Sequence, residues 1–424
     1  MPGDGGRRTR RTVPAGRTIG GRRSHIRSAS MILRGKVVVE DGVIADGVVV
    51  TDGDRISWVG SAVRYRGEVP LPEPSSSILL PGLIDLHCHG GAGAGFPNAD
   101  ADGARRAADH HREHGTTGLL GSLVSAGEQD LLRQAGILAE LVERGELLGI
   151  HLEGPFISGA RCGAQDPASV IPGDPGLFER ICDAARGTVR SMTLAPETAH
   201  FGELLAAMRR RDVLPSLGHT DTDAATTSAR IADAAGGPLT ATHLFNAMPP
   251  LHHRAPGPVA AFLAAAGRGD IVVELIADGV HLAPETVSMV FDTVGPDQIV
   301  LVSDAMAAAG VTDGDYQLGP LDVRVSRGVA RLATTDGSEG AIAGGTARLL
   351  DVVRTAVVDS GIRLVDAVAS ATRTPARLLG LESERGSLAP GRRADIVVTD
   401  HQLRPCGVFV GGIPAEREGL AWKS

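Results

Sequence analysis

Apolar, strand-like runs alternate with stretches of helical periodicity along the middle of the chain, and this alternation leaves few folds open. The strand-like runs fall at 78–89, 116–125, 147–155, 189–196, 214–219, 239–246, 271–278 and 299–304. Helical stretches lie between them, as at 128–144, 222–235 and 284–293. Strands fully apolar on both faces must be covered on both sides, which parallel βαβ units achieve. Eight such units close into a (β/α)8 TIM-like barrel, so the expected class is α/β. A less regular insert at 310–341 follows the eighth run and contains a hairpin-like segment at 322–333.

The two ends of the chain share a different texture. Short β-branched runs at 36–40, 47–51 and 55–59 are separated by Asp-Gly turns, and similar runs recur at 386–388, 395–399 and 407–410. Together they predict one small β-sandwich domain made jointly by both termini. The expected plan is therefore an extension at 1–30, a β domain from 31–80 with 386–424, and a barrel at 81–385. Residues 1–30 are rich in Arg, Gly and Ser without apolar periodicity. They read as disordered, or as lying upstream of a true initiator at Met31, and they lack the apolar stretch of a signal peptide.

Composition narrows the function. Of 424 residues 42% are apolar, enough for a large core, yet no run approaches the roughly 20 residues of a membrane helix. A net charge of −8 gives no basic footprint for nucleic acid. Cys88, Cys162, Cys182 and Cys406 are spaced for neither a disulfide framework nor a zinc ribbon, and they read as free thiols in a reducing cytoplasm.

The chemistry sits where the strand-like runs end. The first ends in Asp85-Leu86-His87-Cys88-His89, and residues two apart on a strand face the same side, so His87 and His89 can grip one ion. The third ends with His151-Leu152-Glu153, the fifth at His219, and the eighth at Asp304, while the sixth carries His243. A single strand-end histidine is more often structural. Five strands that end in His, Glu or Asp on the face where barrel active sites form predict a metal centre. The other histidines read as bystanders. His110 and His114 share a polar segment, 105–114, expected to be a solvated helix face; His252 and His253 follow Pro249-Pro250 in a loop; His151 reads as a packing or supporting group.

These motifs carry a family resemblance. Pro81-Gly82-Leu83-Ile84-Asp85-Leu86-His87-Cys88-His89 resembles the opening signature of the amidohydrolase superfamily, and 386–395 resembles its closing β segment. A narrower resemblance, to the N-acetylglucosamine-6-phosphate deacetylase family, rests on 151–156, 218–220, 242–249, 277–281 and 302–305, in order along the chain. It implies hydrolysis of the N-acetyl group by metal-activated water. Many superfamily members bridge two metals with a carboxylated barrel lysine. Of 42 Lys and Arg residues here only Lys36 and Lys423 are lysine, both outside the expected barrel, so that subtype and Schiff-base chemistry are excluded. A carboxylate must bridge instead, and Glu153 is the candidate.

The resemblance further implies that Glu153, His219 and His243 hold one divalent ion. His87 and His89, with Glu153 bridging and Asp304 nearby, would hold a second. Zinc is the default for such N/O donors, with Fe, Mn and Co as alternatives, at one or two ions per subunit. Asp304 is implied as the catalytic acid–base. The amino sugar phosphate is assigned to Arg254 and His281, with Asn246, Ala247, Asp278, Ala164, Gln165, Ile342, Ala343 and Gly344. Arg254 suits phosphate through its planar fork, and in this family the arginine can come from a neighbouring subunit, which implies a homodimer. Gln165 departs from the pattern, since many relatives place a substrate-contacting histidine there. Two other readings stay open: an amidohydrolase acting on another N-acetyl sugar or an N-acetyl D-amino acid, and a metal-free scaffold.

Overall fold

The computed structural model describes residues 30–335 and 338–415, so the extension expected at 1–30 lies, apart from Ser30, outside the described residues. Strands β1 (Ile32–Val39), β2 (Gly42–Asp52) and β3 (Arg55–Ser61) form an antiparallel meander, and β4 (Ile78–Pro81) lies parallel to β1. The barrel begins with β5 (Leu83–Cys88). A ribbon of β6 (Gly90–Gly91) and β7 (Ala94–Gly95) follows. The barrel continues through β8 (Thr116–Val124), β9 (Gly149–Glu153), β10 (Val189–Leu194), β11 (Leu214–Leu217), β12 (Thr240–Ala241), β13 (Val272–Leu275) and β14 (Ile299–Leu301). These eight strands are all parallel, in sequence order. Beyond their ends Asp304 N donates to His87 O at 2.9 Å and His89 N to Ala305 O at 2.7 Å, which draws the last strand against the first.

Helices α1 (Ala101–Glu113), α2 (Glu128–Glu143), α3 (Pro175–Ala184), α4 (Phe201–Arg211), α5 (Ala224–Asp233), α6 (Gly257–Gly267), α7 (Pro284–Val294) and α8 (Leu349–Val358) follow the eight strands in turn. Two more, α9 (Leu364–Ser370) and α10 (Arg373–Leu378), lead out of the barrel. Inside it, Ile84, Leu86, Leu120, Val272, Ile276 and Val300 pack with Leu378 and Leu379 of α10 and the residue after it. That packing fills the interior with apolar side chains and leaves polar groups to the other end.

The insert after β14 forms an antiparallel sheet of β15 (Gly314–Leu318), β16 (Leu321–Ser326) and β17 (Val329–Leu332). The C-terminal strands β18 (Ile396–Thr399), β19 (Pro405–Val410) and β20 (Ile413–Pro414) complete the terminal sheet, in the order β20-β19-β18-β4-β1-β2-β3. It coils until Ile56 N donates to Arg392 O at 2.8 Å and Ala394 N to Asp54 O at 2.8 Å. One face encloses its own core of Val37, Val49, Ile56, Leu79, Ile396 and Phe409. The expected class, a barrel with a β unit drawn from both ends, is the one observed, with the β unit in one continuous sheet.

Several expected elements differ in detail. The run at 78–89 divides at Gly82, its first four residues joining the terminal sheet as β4 and the rest opening the barrel. Residues 386–388 join no strand, although Leu388 is buried in the terminal core, which accounts for their apolar character. The segment at 105–114 is solvated on one side only: Arg106 is exposed and His110 half-buried, but within α1 His111 is fully buried, and His114 just beyond it is buried too. His111 Nε2 donates to Gly90 O at 2.9 Å, tying α1 to the ribbon beside the barrel mouth.

Candidate functional site

The six groups expected to ligate metal or carry the proton, His87, His89, Glu153, His219, His243 and Asp304, converge on one point at the barrel mouth. Glu153 closes β9 and stands at the centre. Its Oε1 lies 2.9 Å from His219 Nε2 and 3.0 Å from His243 Nε2, and its Oε2 lies 3.2 Å from His89 Nε2. His219 and His243 present their Nε2 atoms to each other at 3.0 Å, and His87 and His89 do so at 3.1 Å. Asp304 Oδ1 is 3.5 Å from His87 Nε2 and 3.4 Å from His89 Nε2. The donors fall into two buried groups, Glu153/His219/His243 and His87/His89/Asp304, with donor atoms within 4.8 Å of one another in each.

The local backbone explains how short strands deliver these side chains. His219, His243 and Asp304 have φ of 46°, 24° and 46°, in the left-handed region that non-glycine residues rarely adopt. Each lies just past the last ladder residue of its strand, Leu217, Ala241 or Leu301, and its own side chain joins the cluster. Such conformations cost on the order of 1–3 kcal/mol each and persist where the surroundings over-determine them, as at functional sites.

Buried partners orient the histidines. Glu274, on β13, places Oε2 3.3 Å from His87 Nδ1. A carboxylate only accepts, so Nδ1 carries a proton and Nε2 faces the cluster. His151 is held between Ser122 Oγ and Thr193 Oγ1, each at 2.9 Å, and packs edge-on against the His87 ring with centroids 4.4 Å apart. Asp85 accepts from the His87 and Ser303 amides at 3.2 and 3.3 Å, and burial pushes its carboxyl up to about 6 against those bonds. Burial would also raise Glu153 and Asp304. The surrounding histidines, His87 foremost, outweigh it and hold both below the usual carboxylate range. Burial lowers His87, but Glu153, Asp304 and Glu274 overcome it and raise its pKa well above the ordinary value.

Above the cluster opens a cavity of about 230 Å³. Seven residues expected to touch substrate line it: Ala164, Gln165, Asn246, Ala247, His281, Ile342 and Gly344. Three do not. Asp278 instead supports His281, accepting from its Nδ1 and backbone amide, both at 2.8 Å, so that Nε2 can face the cavity. Ala343 is fully buried, and Arg254 is exposed on the loop before α6. Gly344 returns from the insert alongside Asp304, where a Cβ would sit 2.9 Å from Asp304 O. Sequence reasoning missed Glu274, hidden in an apolar strand, and Leu318 and Ala341, which the insert brings to the cavity wall. The only sequence signal for Glu274 was an acidic residue inside an otherwise apolar run.

Known proteins resemble this chain in sequence and in fold. A model of the amidohydrolase family matches residues 78–415. N-acetylglucosamine-6-phosphate deacetylase of Bacillus subtilis (strain 168) is 35% identical over 378 residues, covering 85% of this chain and 91% of the relative. N-acetylgalactosamine-6-phosphate deacetylase of Escherichia coli O157:H7 is 32% identical, covering 81% of this chain and 89% of the relative. A solved mutant of N-acetyl-D-glucosamine-6-phosphate deacetylase from Mycobacterium smegmatis, in complex with N-acetyl-D-glucosamine-6-phosphate, superposes with a TM-score of 0.84 at 40% identity, covering 92% of this chain and all of that one. With the family model spanning the barrel and much of the terminal sheet, the chain belongs to the amidohydrolase family.

Proposed function

We infer that this chain is an N-acetylglucosamine-6-phosphate deacetylase, a hydrolase of a linear amide that releases acetate and glucosamine 6-phosphate. The observation that carries the reading is the pair of His-and-carboxylate groups meeting at Glu153 beneath the cavity, in a chain so similar to deacetylases of that name. The donor set fits divalent cations. Facing imidazole nitrogens 3.0 and 3.1 Å apart, each beside a carboxylate oxygen, supply lone pairs that a cation between them would satisfy. Glu153, His219 and His243 would hold one ion, and His87, His89 and Asp304, with Glu153 shared, a second. We propose zinc, while Fe, Mn and Co suit the same donors. A divalent cation in such a site polarises a carbonyl and acidifies water.

The chain's own groups do the rest. Asp304 takes a proton from the attacking water as its oxygen bonds to the acetamide carbon. Asp304 then gives that proton to the nitrogen as the C–N bond breaks, so the product leaves as a neutral amine. His281, held by Asp278, presents Nε2 to the sugar phosphate, and Asn246 and Ala247 offer backbone groups. Arg254 forms no ion pair among the described residues and lies outside its own chain's cavity, which supports its reaching the phosphate in a partner's site within a homodimer. No helix among the described residues is long and apolar enough to cross a membrane. We place the enzyme in the cytoplasm on its irregularly spaced cysteines.

A second reading has specific support in the galactosamine-type relative. Acetate release from the 6-phosphates of N-acetylglucosamine and N-acetylgalactosamine, with elemental analysis of the protein, tests both. Faster turnover of the glucosamine epimer is expected; preference for the other would move the chain to the second reading, and release from neither would overturn both.

A further inference from the structure

Gln165 was expected to touch substrate, yet both ends of its amide are already engaged. It is buried, 4% exposed, in the loop between β9 and α3. Its Oε1 accepts from Ser125 N at 2.8 Å, and its Nε2 donates to Glu153 Oε2 at 2.8 Å. The orientation of the amide is not arbitrary. A peptide N–H can only donate and a carboxylate can only accept, so the oxygen must face Ser125 and the NH2 must face Glu153. The seat is tight: Gly154 has φ of +89°, and a Cβ there would lie 2.2 Å from Ser125 Oγ and 3.4 Å from Gln165 Oε1.

We propose that Gln165 is a positioning residue that fixes the carboxylate plane of Glu153, and through it both donor groups. The terminal torsion of a glutamate is broad and selects no single plane by itself. Glu153 must nonetheless aim Oε1 at His219 and His243 and Oε2 at His89. A rotation of the carboxylate would spoil both aims together. The Gln165 bond to Oε2 sets that rotation, and the Ser125 amide sets Gln165. Partners that orient a ligating group in this way are commonly worth about 10–100-fold in metal affinity.

The inference rests on Glu153 being a metal ligand, and the test separates the two ideas. Zinc affinity is measured by competition with a chromogenic chelator for wild type, Gln165→Met, Gln165→Glu and Glu153→Gln, with the melting temperature of each metal-free protein as a check on folding. Met keeps the length and loses the amide. Glu keeps the shape and an acceptor for Ser125 N but opposes Glu153 with a second carboxylate. Gln165→Met should bind zinc about 10–100-fold more weakly, with the Michaelis constant at saturating zinc changed far less, and Gln165→Glu should be weaker still. If Glu153→Gln loses affinity while either folded Gln165 variant binds zinc as wild type does, the positioning role is wrong and the metal reading stands. If Glu153→Gln binds zinc unchanged, both ideas fall. A raised Michaelis constant with intact zinc affinity in Gln165→Met would return the residue to a substrate contact.

Discussion

Asp304 is asked to be both a cluster member and a proton carrier, and a single substitution separates the tasks. Asn is nearly isosteric, so Asp304→Asn should fold and keep the Glu153, His219 and His243 group intact. It can neither take the proton from water nor return it, and general acid–base catalysis is commonly worth about 10²–10⁴-fold. The loss should fall on kcat, because the proton moves in the transition state. The check is kcat at rising zinc with bound zinc measured in parallel; recovery of wild-type turnover once the sites fill would leave Asp304 a ligand alone. Asp85 and Glu274 show the other face of residue-scale chemistry. Neither points into the cavity, yet each holds His87, one by its amide and one by its ring.

At the scale of elements, the strand ends decide the chemistry and were the hardest boundaries to read. The apolar pattern at 214–219, 239–246 and 299–304 continues to the site because most of those residues stay buried, but the ladders end at Leu217, Ala241 and Leu301, just short of the left-handed turns at His219, His243 and Asp304. Hydropathy reports burial and is blind to those turns. For the same reason it could not separate β4 from β5, which are equally buried in different sheets. The alternation along the chain did reveal the barrel, and the strand-end polar residues revealed the six groups that converge. Glu274 escaped because a buried glutamate matters through its partners, and Leu318 because the insert returns to the cavity from far along the chain.

Helix α1 carries a prediction of its own. Burial pushes His111 down to about 4, whereas in the unfolded chain it titrates near 6.5. Below pH 6.5 the unfolded state binds the extra proton, so the His111 contribution is intact above that pH and is lost as pH falls from 6.5 towards 4. By pH 5 the loss amounts to about 2 kcal/mol. Denaturant midpoints of wild type and His111→Leu, compared at pH 7.5 and 5, should show the wild type losing more stability on acidification. Parallel losses would mean that the ring stays neutral for another reason or is not buried in solution.

For the whole molecule, ions bound only by the folded state add stability by mass action. Chelation should therefore abolish turnover and lower the melting temperature together, and added zinc should restore both; full activity in demonstrably metal-free protein would end the metal mechanism. The proposed homodimer admits a mixing test. Arg254→Ala and Asp304→Asn are each impaired alone, but if Arg254 acts across the interface, a dimer of one chain of each has one intact site. After random re-association about a quarter of all sites should be wild-type, and activity should rise above that of either variant. No gain on mixing, with subunit exchange shown by mass, would place Arg254 in its own chain's site or in none.

The terminal sheet has a consequence in time. Pro81 of β4 pairs with Ile396 of β18, and the latter leaves the ribosome roughly tens of seconds later at ordinary elongation rates of about 5–20 residues per second. Throughout that interval the first-made strands expose an apolar face whose covering has not yet been synthesised, and the barrel is anchored at one end only. Chains stalled before β18 should therefore hold the sticky edges that invite misassembly, and the last few dozen residues act as a clasp that closes the molecule after most of it has already been made.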